Sequence, residues 1–286
     1  MTGRLDGSDS WILVTNDDGV DSPALEPLLR ELASGARVRA VVPAVECSWT
    51  GKVMSRFAAV EARREERDGL EVWSVSGYPA DCANLGMHTL FDTRPALLVS
   101  GVNMGNNAGL AYLLSSGTVG AAIEGMLAGV PSAAFSAHLE GPDYSIWRRE
   151  RTLTPRVAQL LQSAAVVAAE IALEALRAGL PQGSDLLNVN MPSDTTPDTP
   201  RRFTGVTSTG YGAYFAPDGR GRYVYRLGGL QVRDTDENGD VPTLARGEVA
   251  LTPLRFQLGV QATPADRQRF ERSGGGRQRP CPRQRE

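Results

Sequence analysis

Short apolar segments alternate along the chain with longer segments in which apolar residues recur at helical spacing. The first, Trp11 to Thr15, is a continuous apolar run, which is the pattern of a strand buried on both faces of a sheet. A helix is predicted after it, because Ser22 offers an N-cap oxygen, Pro23 suits a first helical turn, and leucines then recur every three or four residues before Gly35. This part of the chain therefore predicts strand, loop and helix in that order.

The same alternation continues to about residue 192. Strands that alternate with helices form parallel βαβ units, and apolar strands with helices available for both faces form an open sheet. We therefore predict an α/β fold with a Rossmann-like, doubly wound, mostly parallel sheet over about residues 10–192. Its further strands are predicted at 38–42, 71–75, 96–99, 132–136 and 186–190, and its further helices at about 81–90, 118–128 and 155–178.

The C-terminal third has a different pattern. Strands are predicted at 224–227, 230–232 and 248–251, separated by turn residues and without a convincing helix, which indicates an extension rich in β-hairpins over about residues 200–258. From Pro264 onward the chain is mostly arginine, glutamine, glycine and proline, which is typical of a disordered basic tail; contact with an acidic partner is the alternative. We expect one domain over residues 1–263 and a disordered tail over 264–286.

The composition narrows the class of protein. The chain has 286 residues, of which 41% are hydrophobic and 22% charged, and its formal net charge is -3. Because this charge gives no field that would collect polyanions, we expect no binding of nucleic-acid polymers. No apolar stretch approaches the roughly 20 residues that cross a bilayer, and three widely spaced cysteines favour free thiols. We expect a cytoplasmic protein without a membrane span.

Polar residues follow three of the predicted strands, at the edge where open α/β sheets bind ligands. Asp17 and Asp18 follow the first strand, Ser48 the second, and Asn103 the fourth. Adjacent carboxylates repel each other unless water or a cation neutralises them, and Mg²⁺ or Mn²⁺ prefers oxygen ligands. The four side chains therefore form a candidate metal site, whereas an Asx-turn with helix capping is the alternative for the two aspartates.

A second candidate lies at 115–120 (SSGTVG), directly ahead of a predicted helix. Backbone amides at a helix N-terminus bind anions, and serine and threonine hydroxyls add donors, so this segment is a candidate phosphate site. Simple N-capping by Ser116 or Thr118 is the alternative. The segment lacks the lysine of a P-loop, so the sequence does not support a P-loop NTPase. The glycines at 101, 105 and 109 do not form a dinucleotide-binding motif, so it does not support a dinucleotide-binding fold either. His138 follows the fifth strand and is a candidate for proton transfer.

Several of these segments together resemble the survival protein SurE family. The resemblance spans about residues 12–256 and implies a metal-dependent 5'/3'-nucleotidase that acts on nucleoside monophosphates. It also implies one divalent ion per subunit, Mg²⁺ or Mn²⁺, and homodimers or homotetramers in which C-terminal hairpins exchange between subunits. The matching segments are ILVTNDDGVDSPAL (12–25), SGYPADCANLG (76–86), LLVSGVNMGNN (97–107), SSGTVGAAIEG (115–125), LNVNMP (187–192) and LTPL (251–254).

The resemblance also implies residue roles. Asn107 would contact the phosphate or the attacking water, and Asp17 or Asp18 would orient or deprotonate that water. The implied metal ligands are Asp17, Asp18, Ser48 and Asn103, and the implied phosphate-binding residues are Asn107, Ser116, Gly117 and Thr118.

The chain departs from the family pattern at three places. Pro43 to Glu46 replaces a proline–aspartate–basic pattern before Ser48, and Lys52 stands where members commonly have histidine. The segment 108–115 is one residue longer than usual and lacks paired aspartates, so we expect a reshaped and more apolar mouth of the site. The departures keep two other functions open: a non-catalytic nucleotide-binding or assembly module, and a broader polyphosphate or phosphomonoester hydrolase.

Overall fold

The computed structural model describes residues 10–67, 69–226, 229–234 and 236–272, and the chain divides into the units Met1–Arg255 and Phe256–Glu286. The strands are β1 (Trp11–Thr15), β2 (Arg37–Pro43), β3 (Ala62–Arg67), β4 (Leu70–Val75), β5 (Leu97–Met104), β6 (Ser132–Ala137), β7 (Leu186–Met191), β8 (Arg201–Phe203), β9 (Thr209–Gly210), β10 (Phe215–Pro217), β11 (Tyr223–Tyr225), β12 (Gln231–Val232) and β13 (Val249–Leu254). The helices are α1 (Leu25–Ala33), α2 (Pro79–His88), α3 (Leu110–Ser115), α4 (Gly117–Leu127), α5 (Gly141–Glu150), α6 (Pro155–Ala178), α7 (Asp240–Ala245) and α8 (Pro264–Phe270).

Nine strands form one sheet in the order β3-β4-β2-β1-β5-β6-β7-β13-β8. In this sheet order, each pair of neighbouring strands between β4 and β7 is parallel. Strand β3 runs antiparallel to β4, and β13 runs antiparallel to β7. The strand order reverses direction at β1, so that the chain winds outward on both sides of it. The prediction of a doubly wound, mostly parallel α/β sheet is confirmed.

Alternate residues of the central strands face two different helical layers. Ile12 and Val14 of β1 belong to the buried cluster that includes α1 and α6. Leu13 faces the other way, where a Cβ on Gly86 of α2 would lie 2.7 Å from it. Helices therefore cover both faces of the sheet, and only the strand ends and the loops remain to build a site.

Helix α6 has the bounds that its sequence predicts. Thr154 caps it by accepting a hydrogen bond from the Val157 amide at 3.3 Å, and Gly179 follows its last residue. By length and composition α6 could cross a membrane, but 56% of its apolar window is buried inside the fold, where it packs against α1 and β5. In this structure it is a core helix.

Strand β5 extends past the predicted end at residue 99. The predicted strand ends before Gly101, whereas the observed strand continues through it. Gly101 has φ +136, and a Cβ at this position would lie 2.3 Å from the Phe135 carbonyl oxygen. The glycine therefore lets β5 approach β6 closely and continue through a register shift between Ser100 and Asn103. As a result Asn103 lies on the strand itself.

Eight elements lie outside the individually predicted strands and helices: β3, β8, β9, β10, α3, α5, α7 and α8. β3 is a polar edge strand (ARREER), and α5 is a polar, exposed helix, so neither has an apolar period. The helices α3 and α7 have six residues each, too few for a helical repeat to show. The expectation that the C-terminal extension has no helix was therefore wrong at α7.

The C-terminal extension contains the expected hairpin pairing, with β10 against β11 and β12 against β9. The strand predicted at 248–251 does not belong to a hairpin of the extension. It corresponds to β13, which joins the main sheet between β7 and β8. Disorder was predicted from Pro264, but Thr263 and Asp266 form a capping box that begins α8. Residues 273–286 lie outside the described residues, and the domain boundary at 263 stays a prediction.

Candidate active site

The carboxyl ends of β1, β2 and β5 meet the N-terminus of α4 at one cavity of about 280 Å³. The turn after β1 carries Asp17 and Asp18, the loop after β2 carries Ser48, and β5 carries Asn103. Of the residues that the sequence predicted, Asp17, Ser48, Asn103, Asn107, Ser116 and His138 line the cavity, whereas Asp18, Gly117 and Thr118 are not part of its lining. The structure thus brings together residues that are far apart in the chain.

The turn after β1 is closed by Asn16 rather than by either aspartate. The Gly19 amide donates to Asn16 Oδ1 at 3.1 Å, and Asn16 Nδ2 donates to the Gly19 carbonyl at 3.0 Å. The Cys47 amide donates to the Asp17 carbonyl at 2.7 Å and so ties the loop after β2 to this turn. Because Asn16 makes the turn, both aspartate side chains are available for other contacts.

Asp17 is buried at the floor of the cavity, with 3% of its surface exposed. Its Oδ1 accepts a hydrogen bond from the Thr118 hydroxyl at 2.6 Å. A Cβ on Gly117 would lie 2.9 Å from the Asp17 Cβ, so the missing side chain lets α4 approach the carboxylate. Burial raises the pKa of Asp17 to about 6, because the charged form loses its hydration.

Asp18 points toward β5, where its Oδ2 accepts a hydrogen bond from the Met104 amide at 2.9 Å. Burial raises the pKa of this carboxyl well above its usual range, and repulsion from Asp17 raises it further. Two adjacent carboxylates with little water around them are stabilised by a cation.

The donor set fits a hard divalent cation. Carboxylate, hydroxyl and amide oxygens are the ligands that Mg²⁺ and Mn²⁺ prefer. Ser48 donates its hydroxyl hydrogen to Glu46 Oε1 at 2.9 Å, which leaves its oxygen lone pairs available. Within the described part of the chain no group of three or more His, Cys, Asp or Glu side chains could hold a metal, so neutral oxygens would have to supplement the two carboxylates.

Asn107 is held rigidly by two buried strands. Its backbone amide donates to Asn190 Oδ1 at 2.7 Å, its Nδ2 donates to the Ser136 hydroxyl at 2.7 Å, and Asn188 Nδ2 donates to its carbonyl at 3.2 Å. Sequence reasoning missed these three supporting residues. Their signal was polar side chains inside the buried strands β6 and β7, where such groups need hydrogen-bond partners.

The N-terminus of α4 uses its two hydroxyls in different ways. Ser116 is the N-cap, and its Oγ accepts from the Val119 amide at 3.0 Å. The alternative of N-capping is therefore correct for Ser116, although this residue also lines the cavity. Thr118 is fully buried and bonds to Asp17, so its hydroxyl acts on the carboxylate.

A histidine also lines the cavity, and an ion pair forms outside its lining. His138 lines the cavity, with Nδ1 3.3 Å from Asn106 Nδ2, and burial lowers the pKa of its imidazole. Glu46 forms an ion pair with Arg151 at 3.3 Å, and sequence reasoning had given neither residue a role. Four aromatic side chains also line the cavity, those of Trp49, Tyr112 and Tyr225 at its mouth and that of Tyr144.

Comparisons with known proteins identify the family to which the chain is similar. The family model described as "Survival protein SurE" matches residues 12–214, a range that contains every predicted site residue. A protein named 5'-nucleotidase SurE from Methanocella arvoryzae is 35% identical over 251 residues, which is 86% of this chain and 92% of that protein. A protein of the same name from Archaeoglobus fulgidus is 34% identical over 252 residues, again 86% and 92%.

A solved structure is similar as well. The crystal structure of the SurE protein from Aquifex aeolicus matches with a TM-score of 0.68 at 28% identity, and the match covers 87% of this chain and 94% of that one. The similarity therefore extends over most of both chains.

Proposed function

The chain belongs to the survival protein SurE family and is a nucleotidase, and we propose that it hydrolyses nucleoside 5'- and 3'-monophosphates to nucleoside and phosphate in the cavity beside Asp17. The observation that carries this proposal is the convergence of Asp17 from β1 and Asn103 from β5 on one cavity that α4 closes with its N-terminus. Metal ligands and phosphate donors thereby lie at the same edge of the sheet.

We propose one divalent cation per subunit, Mg²⁺ or Mn²⁺. When bound, such an ion withdraws charge from the phosphoryl group and makes phosphorus more electrophilic. The residues that would hold it are Asp17, Asp18, Ser48 and Asn103.

The first turn of α4 binds the phosphate oxygens. Ser116 uses an acceptor lone pair for capping, so its hydroxyl hydrogen stays available as a donor. Gly117 occupies the first helical position, where a backbone amide has no partner within the helix. Asn107 donates a hydrogen bond to the phosphate with the second hydrogen of its Nδ2, since the first hydrogen is donated to Ser136. Thr118 contributes indirectly by fixing Asp17.

Water attacks the phosphorus, and the bond from phosphorus to the ester oxygen breaks. Asp17, or Asp18 beside it, orients this water and accepts its proton, because Asp17 lines the cavity together with Asn107 and Ser116, which we propose as phosphate donors. The leaving oxygen takes a proton, for which His138 on the cavity wall is the candidate donor. Products are the nucleoside and inorganic phosphate.

Phosphate release from purified protein tests the function. A panel of 5'- and 3'-nucleoside monophosphates, p-nitrophenyl phosphate and polyphosphate is assayed with Mg²⁺ or Mn²⁺ and again with EDTA. We expect release from the monophosphates that EDTA abolishes. Nucleotide binding without any release would support the non-catalytic module instead, and faster release from polyphosphate would support the broader hydrolase.

We also infer assembly into a homodimer or homotetramer. The side chains of Phe215 and Val224 on the β10–β11 hairpin are exposed at 64% and 40%, and apolar side chains of this kind are commonly covered by another subunit. Size-exclusion chromatography with light scattering should give two or four times the chain mass of 30.6 kDa; the mass of a single chain would contradict the inference.

We propose a cytoplasmic location. The thiols of Cys47 and Cys82 are free, which fits a reducing compartment such as the cytoplasm.

A further inference from the structure

We propose that Trp49, Tyr112 and Tyr225 form a base-binding subsite at the mouth of the catalytic cavity, which makes the enzyme prefer phosphomonoesters that carry a nucleobase. This inference rests on the proposed function, because it assigns the part of the substrate that lies farthest from phosphorus. The three residues come from the loop after β2, from α3 and from β11.

The cavity has two chemically different ends. Asp17, Asn103 and Ser116 form the polar end, and the three aromatic residues line the same cavity. Its volume of about 280 Å³ is close to the lower end, about 300 Å³, of sites that bind small organic molecules. A nucleoside monophosphate has the matching division, with a phosphate at one end and an aromatic base at the other.

Trp49 is the centre of the aromatic end. Its ring lies 5.7 Å from Tyr112, 5.5 Å from Tyr214 and 6.2 Å from Tyr225, with interplanar angles of 85°, 82° and 67°. Such edge-to-face contacts hold a ring in one orientation. Because the platform is already ordered, a base that stacks on it loses little binding energy to side-chain ordering.

The position of Trp49 couples the two ends. It directly follows Ser48, a proposed ligand of the cation, so that one short loop contacts both parts of the substrate. Trp49 also has φ +63, a left-handed conformation that is uncommon for a bulky residue. Despite its ring contacts, Trp49 stays 46% exposed and Tyr225 48% exposed, so both rings are accessible from solvent.

The chemistry of this end favours stacking over recognition of one base. The three aromatic residues are uncharged, and every base has a π-face, so stacking tolerates any base. We therefore expect similar rates for purine and pyrimidine nucleotides and a clear disadvantage for substrates without a base.

Adenosine 5'-monophosphate and ribose 5-phosphate test this directly, because they share the phosphorylated sugar, and the nucleotide carries adenine where ribose 5-phosphate carries a hydroxyl. We expect wild-type protein with Mn²⁺ to favour the nucleotide in kcat/KM by about tenfold or more, through a lower KM, which is the order of one base–aromatic stack. Trp49→Ala should raise the KM for the nucleotide and reduce that ratio toward one, whereas Trp49→Phe should keep most of it. An equal loss on both substrates would overturn the subsite.

Tyr223→Ala is the matched control. Tyr223 lies on the same hairpin as Tyr225 and is 71% exposed, but it does not line the cavity. Its replacement should leave the ratio of the two substrates as in wild type. A drop as large as that of Trp49→Ala would mean that loss of the hairpin fold, rather than loss of a base contact, explains the effect.

Binding of adenosine separates this inference from the proposed function, because adenosine has no phosphate to hydrolyse. It should quench the tryptophan fluorescence of wild-type protein, and the quench should disappear in Trp49→Phe, which keeps the other three of the four tryptophans. If no substrate is hydrolysed but adenosine still quenches, the proposed function fails alone. If both substrates are hydrolysed equally and adenosine does not quench, the subsite fails alone.

Discussion

The hydroxyl of Thr118 donates a hydrogen bond of 2.6 Å to Oδ1 of Asp17, and this bond joins the start of α4 to the turn after β1. Both groups are buried, so water does not compete for the bond. It fixes the direction of the carboxylate that we place on the cation and on the attacking water. The N-terminus of α4 and the acidic turn therefore keep one relative position.

Thr118→Val removes this bond and keeps the shape of the side chain. A hydrogen bond to a charged group is worth about 1.5–3 kcal/mol, so we expect kcat for adenosine monophosphate to fall by about tenfold or more. Steady-state kinetics with Mn²⁺ measure the loss, and circular dichroism checks the fold. Thr118→Ser restores the hydroxyl and should restore most of the rate. Equal activity of the valine and serine variants would contradict the role.

Gly117→Ala tests the close approach of α4 to Asp17. The added Cβ would lie 2.9 Å from the Asp17 Cβ and 3.0 Å from its Oδ2, so the carboxylate must move. Because a misplacement of about 1 Å can cost about a hundredfold in rate, we expect a loss between about tenfold and a hundredfold in kcat. Gly141→Ala is the matched control, since Gly141 also begins a helix but has no atom within 4 Å of the new Cβ. It should retain wild-type kinetics.

The general rule for α/β sheets was enough to place part of the site. Asp17, Ser48 and Asn103 follow or end apolar strands, and parallel strands bring their carboxyl ends to one edge. The support of Asn107 could not be predicted, because Asn188 and Asn190 acquire their partners only when β7 packs beside β6. A buried amide in an apolar strand signals that a partner exists, but not which one.

The aromatic end of the cavity was beyond prediction for a different reason. Trp49, Tyr112 and Tyr225 come from three distant segments with no shared spacing, and only the fold of the α3 and β11 segments over the loop after β2 brings them together. The expectation of a more apolar mouth at 108–115 stays a prediction: the structure has α3 there, and of its residues Tyr112 and Ser115 line the cavity.

Asp17→Asn should change the pH dependence of stability in metal-free protein. The pKa of Asp17 is about 6 in the folded protein, whereas the ordinary value of an aspartate is 3.8. Burial of the charged carboxylate therefore destabilises the fold progressively as the pH rises from about 4 to 6. The uncharged asparagine avoids this loss, which is of the order of 3 kcal/mol for two pKa units. With EDTA present, the Tm of the variant minus that of wild type should grow as the pH rises across this range.

The same variant tests the cation. Mn²⁺ or Mg²⁺ neutralises the buried carboxylates, so at pH 7 it should raise the Tm of wild-type protein. Asp17→Asn should show little of this rise and should lose most activity while keeping its circular dichroism spectrum. An equal rise in Tm for both proteins would show that the ion binds elsewhere, and full turnover of the variant would remove Asp17 from the mechanism.

Asn190→Ala should reduce both stability and turnover, because Asn190 Oδ1 is the acceptor for the backbone amide of Asn107. A buried amide without a partner costs about 1–3 kcal/mol, which we expect as a lower Tm and a lower free energy of unfolding in urea. The loosened Asn107 should in addition lower kcat. Thr204→Val is the control, since it removes a buried hydrogen bond of 2.8 Å to Thr252 outside the cavity. It should lower the Tm without lowering kcat at 25 °C, so a parallel fall of kcat in both variants would assign the effect of Asn190 to general destabilisation.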